Sequence, residues 1–231
     1  MLQLFYGRSP VSEKIIIMLE EIGLPYEKFP INLTAKAHRA SMSYMKAVPT
    51  GKVPVIIDEG KVVFESGAIL LYLAEKSNKL FHLSSRRDLL SWLFWGTAEL
   101  GVHFLNHYLA NIRYPDNKQL IIDYEQHVED RLYIMEDALK SQTILGKSFI
   151  CGEYSIVDIN VYPLIQTIRH TQGLKILEDH NLKSKLPHIF AWLEQIFKRP
   201  AVVKAAKEMA SFDMEYIASE EEIKNFIKRI E

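Results

Sequence analysis

Residues 2–33 constrain this chain most strongly. Leu2, Leu4 and Tyr6 alternate with Gln3 and Phe5 as a short strand, and Ile15, Ile16, Met18, Leu19 and Ile22 then recur at helical spacing until Gly23 stops the helix. Tyr26 to Leu33 is a second extended run. Together they make a β-α-β unit with a short crossover. A polar segment from Ala35 to Lys46 has helical character. Val53 to Phe64 then reads as two strands around the turn Asp58-Glu59-Gly60. A helix from about Ser66 to Lys76 closes the order β-α-β-α-β-β-α.

After a polar linker at 78–85, helical patterns dominate. Leu89 to Ile112 is rich in Trp, Phe, Tyr and His, and Pro115 ends it. The run Asp116-Asn117-Lys118-Gln119 predicts a capping box, Asp116 with Gln119, opening a long helix to about Lys140. Gly146 to Gly152 reads as a loop. Ser155-Ile156-Val157-Asp158 is a second capping box, opening a buried helix from Ile159 to His170, and Leu186 to Phe197 forms another helix before Lys198-Arg199-Pro200. Two domains are expected, 1–77 and 85–231, the second ending in an extra tail from about 211. In that tail Ile223, Phe226, Ile227 and Ile230 share one helical face that should dock on the body.

Composition removes several functions. With 28 Lys+Arg against 29 Asp+Glu there is no field to recruit polyanions, so nucleic acid is not an expected partner. No apolar run reaches the roughly 18 residues of a membrane span, and residues 1–10 lack a basic leader with an apolar core, so the cytoplasm is the expected compartment. The one cysteine, Cys151, excludes an internal disulfide and a cysteine metal cluster. His103 and His107 stand at i, i+4 spacing but have no visible third ligand, so no metal is expected.

Five motifs, in order and spacing, resemble the cytosolic glutathione transferase family. They are the strand-to-helix corner GRSPVSEK, the run Gly51-Lys52-Val53-Pro54-Val55, the block FESGAILLYLAEK from Phe64, the capping box GEYSIVD, and LPHIFAWLEQIFKRPAV. The resemblance covers residue 1 to about 209. Within the family, FESGAILLYLAEK and Trp92 to Trp95 (WLFW) are most similar to the bacterial nu-like subgroup. It implies a thioredoxin-like βαβαββα domain followed by an all-helical domain, a homodimer, and glutathione as co-substrate with no metal.

The resemblance also implies roles for individual residues. Val53-Pro54 is expected to be cis, turning the Val53 backbone amide and carbonyl toward an extended peptide ligand. Ser66 caps a helix whose free amides and dipole suit the γ-glutamyl carboxylate, while Glu65, expected to be buried, faces the adjacent ammonium. Lys52, or His38 or Arg39 in the polar segment, supplies a cation for the glycine carboxylate. A thiol is mostly protonated at neutral pH, so a transferase must stabilise its thiolate. Ser9, with Pro10 suited to the first helical turn, can donate to that sulfur. Ser12 is the competing hydroxyl; Ser9 stands five residues before Lys14, as the activating hydroxyl stands before a basic residue in serine-type members. Ser9 also has an ordinary structural role open to it, as an N-cap turned to its own helix.

The pocket for a small electrophile is expected between the domains, with Val11, His103, Asn106 and His107 contributing, and Glu99 is placed to reach a neighbouring subunit's ligand. The leading reading is a transferase. Glutathione-dependent reduction of disulfides or peroxides is the alternative, but nu-like reducers commonly carry Asn two residues after the hydroxyl, where this chain has Val11. Val11 also replaces the cysteine of maleylacetoacetate-isomerase-like relatives. A module of the same fold that binds glutathione or protein without turnover is the third reading.

Overall fold

In a computed structural model of the chain, the described residues are 1–32, 48, 50–168, 182–213 and 221–222. The polar segment 35–46, with His38 and Arg39, and the apolar tail positions Ile223, Phe226, Ile227 and Ile230 lie outside them. The chain forms two compact units, Met1–Ser77 with Pro200–Glu231, and Asn78–Arg199.

The first unit is built on a mixed sheet. Strands β1 (Leu2–Tyr6), β2 (Tyr26–Pro30), β3 (Val55–Asp58) and β4 (Lys61–Phe64) lie in the order β2-β1-β3-β4. β1 pairs in parallel with β2, Leu2 opposite Tyr26, and antiparallel with β3, which pairs antiparallel with β4. β1 has strands on both sides, and all five of its residues are buried. Helix α1 (Pro10–Ile22) crosses over between β1 and β2. It buries Ile15, Ile16, Ile17, Met18, Leu19 and Ile22, and Gly23 stops it in the left-handed conformation, φ 74°, returning its N–H to the Leu19 carbonyl at 3.0 Å. Helix α2 (Ser66–Ser77) packs beside α1 and adds Ile69, Leu70 and Leu73 to the core.

Residues 200–213, assigned by the sequence pattern to the helical domain, pack within this first unit. Their helix lies against α1, burying Ala201, Val202, Ala205 and Met209. Side-chain bonds hold it there: Tyr6 Oη donates to Glu208 Oε1 at 2.5 Å, Lys28 pairs with Glu208, and Lys204 meets Glu20 at 2.7 Å. Phe212 sets its ring edge-on to Tyr6. These partners are remote in sequence, which is why a reading of local periodicity groups the helix with its neighbours.

The second unit is helical: α3 (Arg86–Trp95), α4 (Gly101–Arg113), α5 (Lys118–Ile144), α6 (Ile156–Ile168), α7 (Leu182–Lys185) and α8 (Pro187–Phe197), with the helix of the first unit, α9 (Pro200–Ala210), following in sequence. The single helix expected over 89–112 is divided by a π-helical turn at Gly96–Leu100. Its cause is a close approach by α6. A Cβ on Gly96 would lie 2.6 Å from Asn160 Nδ2 and 2.7 Å from Val161 Cγ1. The buried Asn160 amide donates to the Leu93 carbonyl at 3.0 Å, supplying a partner where the helical ladder changes register. The cap of α5 also differs from expectation. Asn117, not Asp116, is the N-cap, its Oδ1 accepting from the Leu120 amide at 3.1 Å, while Gln119 turns forward to Asp123.

The box at 155–158 forms as expected, although its helix begins at Ile156. Asp158, fully buried, accepts from the Ser155 amide at 3.0 Å and the Ser155 hydroxyl at 3.2 Å. It also accepts from the Ile150 amide at 3.2 Å and from Trp192 Nε1 at 2.9 Å. Four donors therefore converge on one carboxylate and tie the preceding loop, α6 and α8 together.

Candidate functional site

Strand register brings three of the sequence motifs to one end of the sheet. Phe5 stands opposite Val55, and Val55 stands opposite Phe64. Each of these residues is within two positions of a motif: Phe5 and then Tyr6 precede the corner Gly7-Arg8-Ser9-Pro10, Val55 follows Val53-Pro54, and Phe64 precedes Glu65-Ser66. Adjacent strands lie only about 4.8 Å apart, so the β1–α1 corner, the turn into β3 and the start of α2 are neighbours on one edge.

At the corner, Ser9 is the N-cap of α1, with extended backbone (φ −159°, ψ 153°) and Pro10 in the first turn. Its carbonyl accepts from the Glu13 amide at 3.0 Å, and its hydroxyl oxygen accepts from the Ser12 amide at 3.3 Å. The capping role is thus real. It does not exhaust the group, because Ser9 is half-buried and a hydroxyl has a proton to give as well as lone pairs to receive with. Ser12 is different. It is fully buried, its Oγ accepts from the Gly7 amide at 3.1 Å, and the two hydroxyl oxygens lie 3.2 Å apart. Ser12 is therefore partnered inside the corner, and Ser9 holds the outer position. Lys14 is 2% exposed, and burial pushes its ammonium down to about 7; burial likewise pushes Glu13 up to about 7.

The Val53-Pro54 bond is cis, matching the implied geometry. The strand begins at Val55 rather than Val53, after the proline. Lys52 is exposed, and its amide donates to Thr50 Oγ1 at 3.4 Å, beside Gly51 with φ 60°.

At the third motif one expectation is corrected. Glu65 is exposed, not buried, so burial gives no reason for it to need an ionic partner. Its backbone supplies a different signal: φ is 68°, in the left-handed region that a residue with a Cβ occupies at a cost on the order of 1 kcal/mol or more. Its carbonyl accepts the Ile69 amide at 2.9 Å, so the strained residue directly starts α2, and Ser66 next to it is buried. The helix start presents its first amides there, with the Glu65 carboxylate outside in solvent.

The remaining expected residues divide between units. Val11, half-buried, lies in the first turn of α1. His103, Asn106 and His107 lie on α4 in the second unit. His107 is buried, with Asn111 Nδ2 3.2 Å from its Nε2, and burial lowers its pKa. The pKa of His103 is lowered by burial and then by the nearby Arg131 cation. Its ring lies 5.0 Å from that of His127, and its Nε2 is 3.8 Å from Glu99. Glu99, at the π turn, also meets Arg131 at 3.0 Å within its own chain. Among the described residues no group of three or more His, Cys, Asp or Glu is arranged to hold a metal.

Two features of the site were not read from the sequence. Ser12 stood there as a rival to Ser9, whereas the structure joins the two; their i, i+3 spacing across a helix start was the available signal. The left-handed conformation at Glu65 had none, because nothing in the residue type demands it.

The chain is similar to known proteins over most of its length. Residues 1–75 match the family model of the glutathione S-transferase N-terminal domain. The chain is 30% identical over 216 residues to the disulfide-bond oxidoreductase YfcG of Escherichia coli K12, covering 89% of this chain and 94% of that one. Among solved structures it is similar to a glutathione transferase family member from Pseudomonas fluorescens with two glutathione bound, at TM-score 0.77, 28% identity and coverage of 88% and 91%. It is similar also to a glutathione transferase from Pseudomonas putida with one glutathione disulfide bound per subunit, at TM-score 0.74, 28% identity and coverage of 89% and 90%. The chain belongs to the glutathione transferase family.

Proposed function

We propose that this chain is a glutathione transferase in which Ser9 stabilises the glutathione thiolate for attack on a small electrophile. The supporting observation is the register Phe5–Val55–Phe64, which sets the Ser9 corner, the cis Val53-Pro54 turn and the Glu65-Ser66 helix start on one sheet edge. An extended tripeptide has the matching sequence of groups. Its cysteinyl backbone pairs with Val53, its γ-glutamyl carboxylate sits at the first amides of α2 with Ser66, and its ammonium faces Glu65. The sulfur then reaches the corner. Its proton leaves to water, the Ser9 O–H donates to the anion, and the thiolate forms a bond to the electrophilic carbon while the leaving group, chloride for a chlorodinitrobenzene-type substrate, departs with its bonding pair. Lys52, or His38 or Arg39, balances the glycine carboxylate, and Val11, in the first turn of the helix that Ser9 caps, faces the electrophile.

A second reading is glutathione-dependent disulfide reduction. The likeness to YfcG favours it, while Val11, in place of the Asn common in such reducers, argues against it. We also assign the chain to the cytoplasm, in detoxification, as a homodimer in which Glu99 faces the partner's ligand.

The test is Ser9→Ala with a chlorodinitrobenzene-type electrophile. Turnover should fall about 10- to 100-fold, the worth of one hydrogen bond to a charged group, with glutathione affinity by calorimetry nearly unchanged. Undiminished turnover rejects Ser9. Turnover that is absent in the unmodified chain, with a disulfide such as hydroxyethyl disulfide reduced instead, moves the assignment to the second reading.

A further inference from the structure

We infer that Ser12 is a positioning residue that polarises Ser9, so that the thiol-activating element is a directed chain of two hydroxyls. This rests on the assignment of Ser9 above. The geometry defines the direction. Ser12 Oγ is fully buried and accepts from the Gly7 amide at 3.1 Å. A backbone N–H can only donate, so this bond fixes Ser12 Oγ as an acceptor on that side. The Ser9 and Ser12 oxygens are 3.2 Å apart, and Ser9 is the one at the outer, half-buried position.

In the free corner the Ser9 proton points at Ser12. When a sulfur anion arrives, that proton turns outward to it, and the Ser12 proton turns to the Ser9 oxygen. The chain then reads Gly7 N–H to Ser12 Oγ, Ser12 O–H to Ser9 Oγ, and Ser9 O–H to sulfur. Only hydroxyl rotations are required, and the Gly7 N–H keeps its Ser12 acceptor in both arrangements. The Ser12 amide already donates to Ser9 Oγ at 3.3 Å, so in the liganded state Ser9 accepts from two donors of the same residue. Each donor withdraws density from the Ser9 oxygen and strengthens its O–H as a donor, by the mutual polarisation of hydrogen bonds in series. A cap serine without such a neighbour would lose its own acceptor on turning to the ligand; here the acceptor becomes a donor.

The pH dependence of kcat/KM for the electrophile at saturating glutathione reports ionisation of the bound thiol. Ser12→Ala should raise that midpoint by about half a unit, which makes the acid limb about threefold slower and leaves the alkaline plateau nearly unchanged. In a Ser9→Ala background the same substitution should move the midpoint no further, because Ser12 acts only through Ser9. A lower plateau or a higher glutathione KM at an unmoved midpoint would make Ser12 merely structural. A shift that persists without Ser9 would make it an independent donor. If Ser9→Ala itself leaves the midpoint in place, the assignment of Ser9 fails and the chain falls with it. Should Ser12→Ala not fold, a glutathione-bound crystal structure of the unmodified chain decides. Ser9 Oγ within hydrogen-bond reach of both the sulfur and Ser12 Oγ supports the chain; Ser9 turned away from Ser12 overturns it.

Discussion

Two helix starts in this molecule use serine caps of the same local kind and put them to different ends. At α6, Ser155 and the Asp158 carboxylate are fully buried, and four donors from the loop, the cap and α8 converge on that carboxylate. At α1, Ser9 is half-buried, caps by accepting a hydrogen bond from the Ser12 amide at 3.3 Å, and has a second hydroxyl, that of Ser12, 3.2 Å away. The first arrangement is closed, since every polar group has its partner inside the protein. The second is open, with a donor available to something outside. A Ser at an N-cap is thus not itself a functional signal; what distinguishes the two is whether the cap is enclosed on all sides.

The comparison can be broken at several points. The largest effect belongs to the closed cap. Asp158→Ala leaves the Trp192 indole and the Ile150 and Ser155 amides without their acceptor, and should cost about 3–5 kcal/mol in chemical denaturation, since each buried donor left unpaired costs about 1–3 kcal/mol. A loss below about 1 kcal/mol would mean the carboxylate is not the hub that its donors indicate. Ser155→Ala should cost about 1–2 kcal/mol, the ordinary worth of an N-cap. Ser9→Ala should lower thermal stability by no more than about 1 kcal/mol, while affecting activity far more than stability. A stability cost at Ser9 as great as that at Ser155 would erase the distinction between them.

Glu65 gives a finer test of the open edge. Replacing it with glycine removes both the carboxylate and the penalty at φ 68°. Glu65→Gly should be stable to within about 1 kcal/mol of the parent or better, yet bind glutathione more weakly by calorimetry. Unaltered affinity would remove the side chain from the site. Strongly reduced stability would show that the left-handed backbone is not the strained feature at this position.

How much of this was legible in the sequence follows the same division between local and remote causes. The β-α-β start, the helix stop at Gly23 and the box Ser155–Asp158 are determined by residues within a few positions of one another, and periodicity and capping chemistry revealed them. The π turn at Gly96 depends on an approach by Asn160 and Val161, and the place of α9 depends on Tyr6, Lys28 and Glu20. No local pattern contains those partners. Asn117 took the cap expected of Asp116; either side chain suits the position, so residue type does not choose between them. At the site, residue types named Ser9, Val53-Pro54 and Glu65-Ser66, but only strand register set them on one edge, and only tertiary burial separated the enclosed Ser12 from the half-buried Ser9.

The central claim is that the Ser9 O–H holds a thiolate. Titrating enzyme-bound glutathione by the ultraviolet absorbance of its thiolate tests this without a second substrate. The bound thiol should ionise well below the ordinary thiol range in the unmodified chain, and Ser9→Ala should return it upward by about 1–2 units, the equivalent of a hydrogen bond to a charged group. Superimposable titrations of the two proteins would contradict the account.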